Sequence, residues 1–185
     1  MTKNPLFSII IPFRGRFDRV SGLLEDLRHQ ECQDFEIILV DDGSDSVFCH
    51  EDDEVSSKVS IKLFKNNASK GAAAARNLGA SMATGKYLAF LDSDDFFSHD
   101  KLSIVNRSIS IEGDADFFYS CYSIVDESRQ PVRVVDVPLE DDLGDAIKAS
   151  CCVGGCSVPI ILRAFFEYVG GFDEELKSCQ DWDLW

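Results

Sequence analysis

No stretch of this chain is long and apolar enough to cross a bilayer, and the opening residues, MTKNPLFSII, lack the charged-then-apolar layout of a secretion signal. An integral membrane segment is therefore not expected. Positive charge is scarce too: 18 Lys and Arg stand against 33 Asp and Glu, a formal net charge of −15. Nucleic acid is excluded as an expected partner, because phosphate contacts need clustered Lys and Arg. If the ligand is nevertheless anionic, a divalent cation is the natural source of local positive charge. The seven cysteines are odd in number. Even Cys151, Cys152, Cys156 and Cys179 follow no common zinc spacing, so reduced thiols packed as small hydrophobes are expected. Repeats, low-complexity linkers and a composition break are all missing, and 185 residues suit a single domain over 1–185.

What is present is an alternation of buried strands and helical patterns. LFSIIIP, from Leu6 to Pro12, and FEIILV, from Phe35 to Val40, are continuous apolar runs of the kind buried on both faces of a parallel sheet. Tyr87 to Leu91 is a third such run, and Val59 to Lys65 reads as a strand nearer an edge. Phe117 to Val125 and Val132 to Val137 read as further strands. Phe17, Val20, Leu24 and Leu27 share one helical face. Lys70 to Met82 predicts a helix with Ala72, Ala75, Leu78, Gly79 and Met82 inward, and Leu102 to Ile109 another. The acidic stretch from Asp41 to Glu54 reads as mostly solvated loop and short helix. The alternation predicts βαβ units and a doubly wound, mostly parallel α/β sheet.

Ligands of such sheets bind outside the carboxyl ends of the strands. Polar clusters follow the apolar runs there, which places Arg14, Asp41, Asp42, Asp92 and Asp94 along one rim. In Asp92-Ser93-Asp94-Asp95, residues i and i+2 of an extended segment would point the same way and could share Mg²⁺ or Mn²⁺. Taken alone, a polar turn before a helix is the simpler reading, but three adjacent carboxylates repel unless a cation relieves them. In Asp41-Asp42-Gly43-Ser44 a carboxylate could accept from a nucleobase N–H, and an ordinary Asp-Gly turn is an equal alternative. Lys70 and Arg76 offer positive charge on a helix whose small residues equally suit tight packing on the sheet. Asp181, in the terminal QDWDLW, reads either as a general base or, more simply, as a helix cap beside Trp182 and Trp185 in the core.

Taken in order, SIIIPF, VDDGSD, KGAAAARN, KYLAFLDSDD, GGFDEEL and QDWDLW resemble family 2 glycosyltransferases, from about Ser8 to the last residue. The resemblance implies a GT-A type fold with a Rossmann-like sheet, a nucleoside-diphosphate sugar donor, a divalent metal (Mg²⁺ or Mn²⁺) and inversion at the anomeric carbon. Carried over by position, Asp42 is the base-contacting acid, with Asp41 and the Pro12 backbone completing the nucleoside pocket. Arg14, Lys70, Arg76 and the Asp92-Ser93 pair fall on the donor side, Asp92 and Asp94 form the metal motif, and Asp181 is the catalytic base. Arg14 replaces a common Asn of the family, and Gln180 replaces the acid that commonly precedes the base.

The resemblance makes a UDP-sugar the commonest donor expectation and a glycan or lipid-linked acceptor the expected partner. Bacterial polysaccharide assembly is the expected setting, in the cytoplasm or at the inner membrane face. The chain stops within the helix that would follow the base, so the expectation is a domain cut short at its C-terminal end. A non-catalytic nucleotide-sugar-binding module is the alternative. A phosphatase of haloacid-dehalogenase type would place its Asp-rich loop after the first strand, whereas LDSDD follows the fourth. A nucleotidyltransferase would need a Gly-rich basic loop of which Arg14-Gly15-Arg16 is a faint echo.

Overall fold

The computed structural model describes residues 4–49, 59–137 and 153–184. Its element order starts with β1 (Phe7–Phe13), α1 (Phe17–Arg28), β2 (Phe35–Asp41), β3 (Ile61–Lys65), α2 (Ala72–Ser81) and β4 (Tyr87–Phe90). It continues through α3 (Lys101–Glu112), β5 (Phe117–Phe118), β6 (Tyr122–Val125), β7 (Pro131–Val135), β8 (Ile160–Leu162), α4 (Arg163–Val169) and α5 (Gln180–Leu184). Six strands form one sheet in the order β3-β2-β1-β4-β8-β5, while β6 and β7 pair apart from it as a ribbon. The first four strands of the sheet are parallel, and β8 runs antiparallel to both β4 and β5.

Every residue of β1, β2 and β4 is buried, as their unbroken apolar sequences require of strands covered on both faces. Successive side chains of β1 go to opposite layers. Phe7, Ile9, Ile11 and Phe13 pack with Val20, Leu23, Leu24 and Leu27 of α1 and Leu102 of α3. Ile10 packs on the other layer with Ala73 and Ala75 of α2 and Phe166 of α4. Each fully buried aliphatic side chain contributes about 1.5–3 kcal/mol. At Gly79 an added Cβ would collide with the Ile10 side chain, so this glycine lets α2 lie close on the sheet.

Three expectations change. Phe117–Val125 is two strands in two different sheets, because a local apolar pattern cannot say which neighbour a strand will meet. Met82 is 39% exposed instead of facing the sheet, since α2 ends one residue earlier. Asp41, Asp42, Ser44 and Phe48 are buried, so the acidic stretch begins inside the protein; residues 50–54 of it lie outside the described residues. The short three-residue strand β8 and helix α4 were not legible beforehand. Cys156 is buried and Cys32 half-buried, as small hydrophobes would be, whereas Cys49, Cys121 and Cys179 are exposed. Cys151, Cys152 and Trp185 lie outside the described residues.

Candidate active site

The chain moves outward from β1 through β2 to β3, then crosses by α2 to β4 on the other side of β1. That reversal opens a crevice at the carboxyl ends of β1 and β4. A cleft of about 380 Å³ occupies it, within the range of small-molecule sites. Its walls include Pro12, Arg14, Arg16, Asp42, Arg76, Asp92, Ser93 and Asp94. Of the residues expected on the rim, Asp41 is not part of this lining, and neither are Lys70, expected on the donor side, and Asp181, expected as the base.

Asp41 is 1% exposed at the end of β2. Its Oδ1 accepts the Ser44 N–H at 2.8 Å and the Ser44 hydroxyl at 2.5 Å. The same hydroxyl oxygen accepts the Gly15 N–H at 2.7 Å, so Asp41 fixes the loop after β1 through Ser44. Asp42 turns the other way. Its carboxylate accepts the Asn66 amide at 2.9 Å, the Ser69 hydroxyl at 2.6 Å, and the Lys70 and Gly71 N–H groups at 2.9 Å each. Two donors on each oxygen fill the lone-pair positions of a carboxylate. Burial would raise this carboxyl, but the four donors hold it below the ordinary Asp value. Asp42 therefore spends its hydrogen bonds on ordering the 66–71 loop, a geometry that leaves no free lone pair for a base. Gly43 makes the turn possible: its φ is +76°, and a Cβ there would strike the backbone of Ala68 and Ser69.

Lys70 contributes its main chain to Asp42 while its side chain is exposed. Arg76, by contrast, is 7% exposed on α2, and its Nη2 donates to Asp92 Oδ1 at 2.5 Å. Burial would lower its pKa, but the neighbouring Asp92 charge more than offsets this and keeps the guanidinium charged. The guanidinium also sits 5.5 Å from the centre of the Phe172 ring, and its Nε has no hydrogen-bond partner among the described residues.

The Asp92 segment is a turn instead of an extended pair, closed by the Asp95 N–H to Asp92 O bond at 3.0 Å. As a result Asp92 and Asp94 meet different cations. Asp94 Oδ2 lies 3.1 Å from Nη1 of Arg16, both side chains being about half exposed. The Ser157 hydroxyl oxygen accepts the Asp92 N–H at 3.0 Å and anchors the turn to the segment before β8. Ser157 is not among the residues read from the sequence, and Arg16 enters there only in the Arg14-Gly15-Arg16 echo; a lone Ser or Arg in a loop carries no periodic signal.

Asp181 stands in the first turn of α5 instead of before it, half-buried, and its charge acts on both Arg76 and Cys156. Trp182 is 40% exposed and does not join the core. The approach to α5 is fastened to α2 by Asn77. Its Nδ2 donates to Phe172 O and Glu174 Oε1 at 2.9 Å each, and its Oδ1 accepts the Phe172 N–H at 2.9 Å.

A divalent metal fits this donor set. Arg76 and Arg16 leave Asp92 Oδ2 and Asp94 Oδ1 without a hydrogen-bonding partner among the described residues. Two carboxylates completed by phosphate oxygens and water are the usual surroundings of Mg²⁺. No cluster of three or more His, Cys, Asp or Glu suited to a metal occurs among the described residues, so the protein alone would supply only part of the coordination.

Comparison with known proteins agrees with this architecture. The chain is 31% identical over 186 residues to an uncharacterized glycosyltransferase of Haemophilus influenzae, covering 97% of this chain and 60% of the relative. It is 32% identical over 180 residues to the Escherichia coli UDP-Glc:alpha-D-GlcNAc-diphosphoundecaprenol beta-1,3-glucosyltransferase WfgD, covering 97% of this chain and 68% of the relative. Among solved structures, Staphylococcus aureus TarS 1–349 in complex with UDP-GlcNAc superposes with a TM-score of 0.75 at 22% identity, over 96% of this chain and 51% of that one. The Pyrobaculum calidifontis mannosyltransferase PcManGT, in complex with GDP-Man and Mn²⁺, gives 0.64 at 18% identity, over 99% of this chain and 51% of that one. The chain thus spans about 60% or less of the length of several relatives it matches, down to 25% for one from Rickettsia bellii. The model of glycosyl transferase family 2 matches residues 8–165, and the chain, with its GT-A type fold, belongs to that family.

Proposed function

We propose that this chain forms the donor-binding and catalytic region of an inverting glycosyltransferase that uses a nucleoside-diphosphate sugar, a UDP-sugar first among them. The observation that carries the reading is the gathering of Arg14, Arg16 and Arg76 with Asp92 and Asp94 around one cleft of a protein with a net charge of −15. Cationic groups so concentrated in an acidic chain suit a polyanionic ligand such as a diphosphate. The names of the similar proteins support the donor class: WfgD is named for UDP-Glc, and TarS was solved with UDP-GlcNAc. WfgD is also named for a diphosphoundecaprenol-linked acceptor, which makes a lipid-linked glycan the acceptor class proposed here. The lipid link of that acceptor class would bring the reaction to a membrane surface; no described helix is long and apolar enough to cross a membrane.

In this reading the nucleoside lies against Pro12 and the 66–71 loop, and Asp42 acts by shaping that loop. Arg76 orients Asp92 and turns its remaining charge toward the diphosphate. Mg²⁺ or Mn²⁺, held by Asp92 and Asp94, would supply neutralisation of the charge that grows on the leaving diphosphate. Asp181 accepts the proton of the acceptor hydroxyl as it attacks the anomeric carbon from the face opposite the diphosphate. Asp181 lies beyond the stretch matched by the family model, so its role rests on its place beside Arg76 and on the QDWDLW resemblance.

Thermal unfolding with UDP, GDP and dTDP, each with and without Mn²⁺, tests the reading. A ligand at 100 times its dissociation constant stabilises the native state by about 2.7 kcal/mol, a readable shift. UDP with Mn²⁺ is expected to give the largest rise. No rise with any pair would refute the donor site.

A further inference from the structure

Arg16 is a poor choice for its local position by three separate criteria. It is the N-cap of α1, where Asn, Asp, Ser or Thr would accept a hydrogen bond from the first turn, and no side chain caps this helix. It places a positive charge at the positive end of the helix dipole. It also holds left-handed backbone angles, φ 53° and ψ 39°, which cost an L-residue with a Cβ and which Asn tolerates better. Strain of this kind is retained where the side chain has work to do. The side chain lines the cleft and reaches Asp94, 78 residues away along the chain.

Its partner is held loosely. Both side chains of the Arg16–Asp94 pair are more than half exposed, at 55% and 54%, and such pairs are weak. The backbone beneath is held firmly, because Gly15 N–H is bound to Ser44, and Ser44 to Asp41. A fixed base with a loosely tethered charged tip can exchange one anion for another without moving the loop.

We infer that Arg16 is an exchangeable cation of the donor site: it neutralises Asp94 until a divalent cation takes that carboxylate, and then delivers its charge to the donor diphosphate. The inference rests on the donor-site reading above. A divalent cation brings two charges to the same carboxylate and outcompetes an exposed guanidinium. The freed guanidinium stays in the cleft, where phosphate oxygens are the anions that remain for it. Metal and diphosphate binding are coupled through this one side chain, since the metal releases the group that holds the diphosphate.

Three measurements on wild type, Arg16→Asn and Arg16→Lys decide the matter. Free Mn²⁺ is followed by electron paramagnetic resonance without nucleotide, UDP affinity by calorimetry at saturating Mn²⁺, and unfolding without ligand. Arg16→Asn is expected to bind Mn²⁺ alone about two- to fivefold more tightly, having lost the competing cation. It should bind UDP about tenfold more weakly at saturating Mn²⁺, and melt above the wild type. Arg16→Lys should keep most of the UDP affinity. A variant that binds Mn²⁺ no more tightly, or UDP no less tightly, overturns the inference while wild-type UDP binding keeps the donor site standing. A lower melting point with both affinities reduced together would make Arg16 a structural residue only. Absence of UDP binding by the wild type would remove the donor site itself, and the inference with it.

Discussion

Nη2 of Arg76 lies 2.5 Å from Oδ1 of Asp92, tying the middle of α2 to the end of β4. The Arg76 side chain is 8% exposed and the Asp92 side chain 30%, so the pair stands at the border between core and cleft. Asp181 acts on the same guanidinium from α5, and Phe172 packs on it. One buried cation thereby organises groups from α2, the turn after β4 and the C-terminal helix.

Replacing Arg76 with Met should keep the volume of the side chain and remove its charge. Asp92 would then face Asp94 and Asp181 without its main counter-charge. A loss of about 2 kcal/mol in stability is expected, below the figure for a fully buried pair because Asp92 is partly solvated. Urea denaturation measures it. The UDP-dependent rise in melting point should vanish in the same variant, whereas a purely structural arginine would leave that rise intact.

Asp181→Asn removes the proposed base with little change in shape. A positioned base contributes roughly 10²–10⁴-fold, so turnover in a radiolabelled sugar-transfer assay should fall by that factor, about 3–5 kcal/mol in barrier. Stabilisation by UDP with Mn²⁺ should persist. Turnover near the wild-type rate would remove Asp181 from the mechanism.

Glu36 is a pH-dependent strut at the opposite end of the sheet. Burial would raise its carboxyl, but Lys62, Ser8 and both the N–H and hydroxyl of Thr84 outweigh burial and bring it down to about 2 from 4.5. A carboxyl depressed in the folded state stabilises above its unfolded value and loses that contribution as pH falls through the folded one. The contribution of ~3 kcal/mol should therefore be complete near neutral pH and fade between 4.5 and about 2. Unfolding of wild type and Glu36→Gln compared across this range isolates it. The gap between the two should be wide at about pH 7 and close steadily toward pH 2; a gap independent of pH would contradict the assignment.

Asn77→Ala deletes three hydrogen bonds to the segment before α5. The expected loss is about 1–3 kcal/mol. Because these bonds lead toward Asp181 and not toward the nucleoside wall, sugar transfer should drop more than UDP affinity does. Equal losses in both would mean that Asn77 holds the whole cleft and not the C-terminal segment alone.

Much of the architecture was legible along the chain. The apolar runs of β1, β2 and β4 suit strands buried on both faces of a parallel sheet covered by helices, and each run is followed by the polar residues that such a sheet turns to its ligand. Val59–Lys65 reads as a strand near an edge, and β3 is one of the two edge strands of the sheet. Less legible was the fate of single polar groups. Of the two readings of Asp41-Asp42-Gly43-Ser44 the turn is present, and each carboxylate is occupied from within, Asp41 by Ser44 and Asp42 by the 66–71 loop, partners the sequence does not name. For Asp92-Ser93-Asp94-Asp95 the polar-turn reading holds, and the turn sends Asp92 and Asp94 to two arginines instead of aligning them in an extended pair.

By itself the sequence determined strands β1 to β4, helices α1 to α3 and the acids at the strand ends, because periodicity and chain-local turn chemistry act over a few residues. Only the tertiary structure decided that Arg16 meets Asp94, that Arg76 meets Asp92 and Asp181, and that Asn77 holds Phe172. Those partners lie 16 to 105 residues apart, and strand order and loop reach, not local preference, bring their charges and hydrogen-bonding groups within contact.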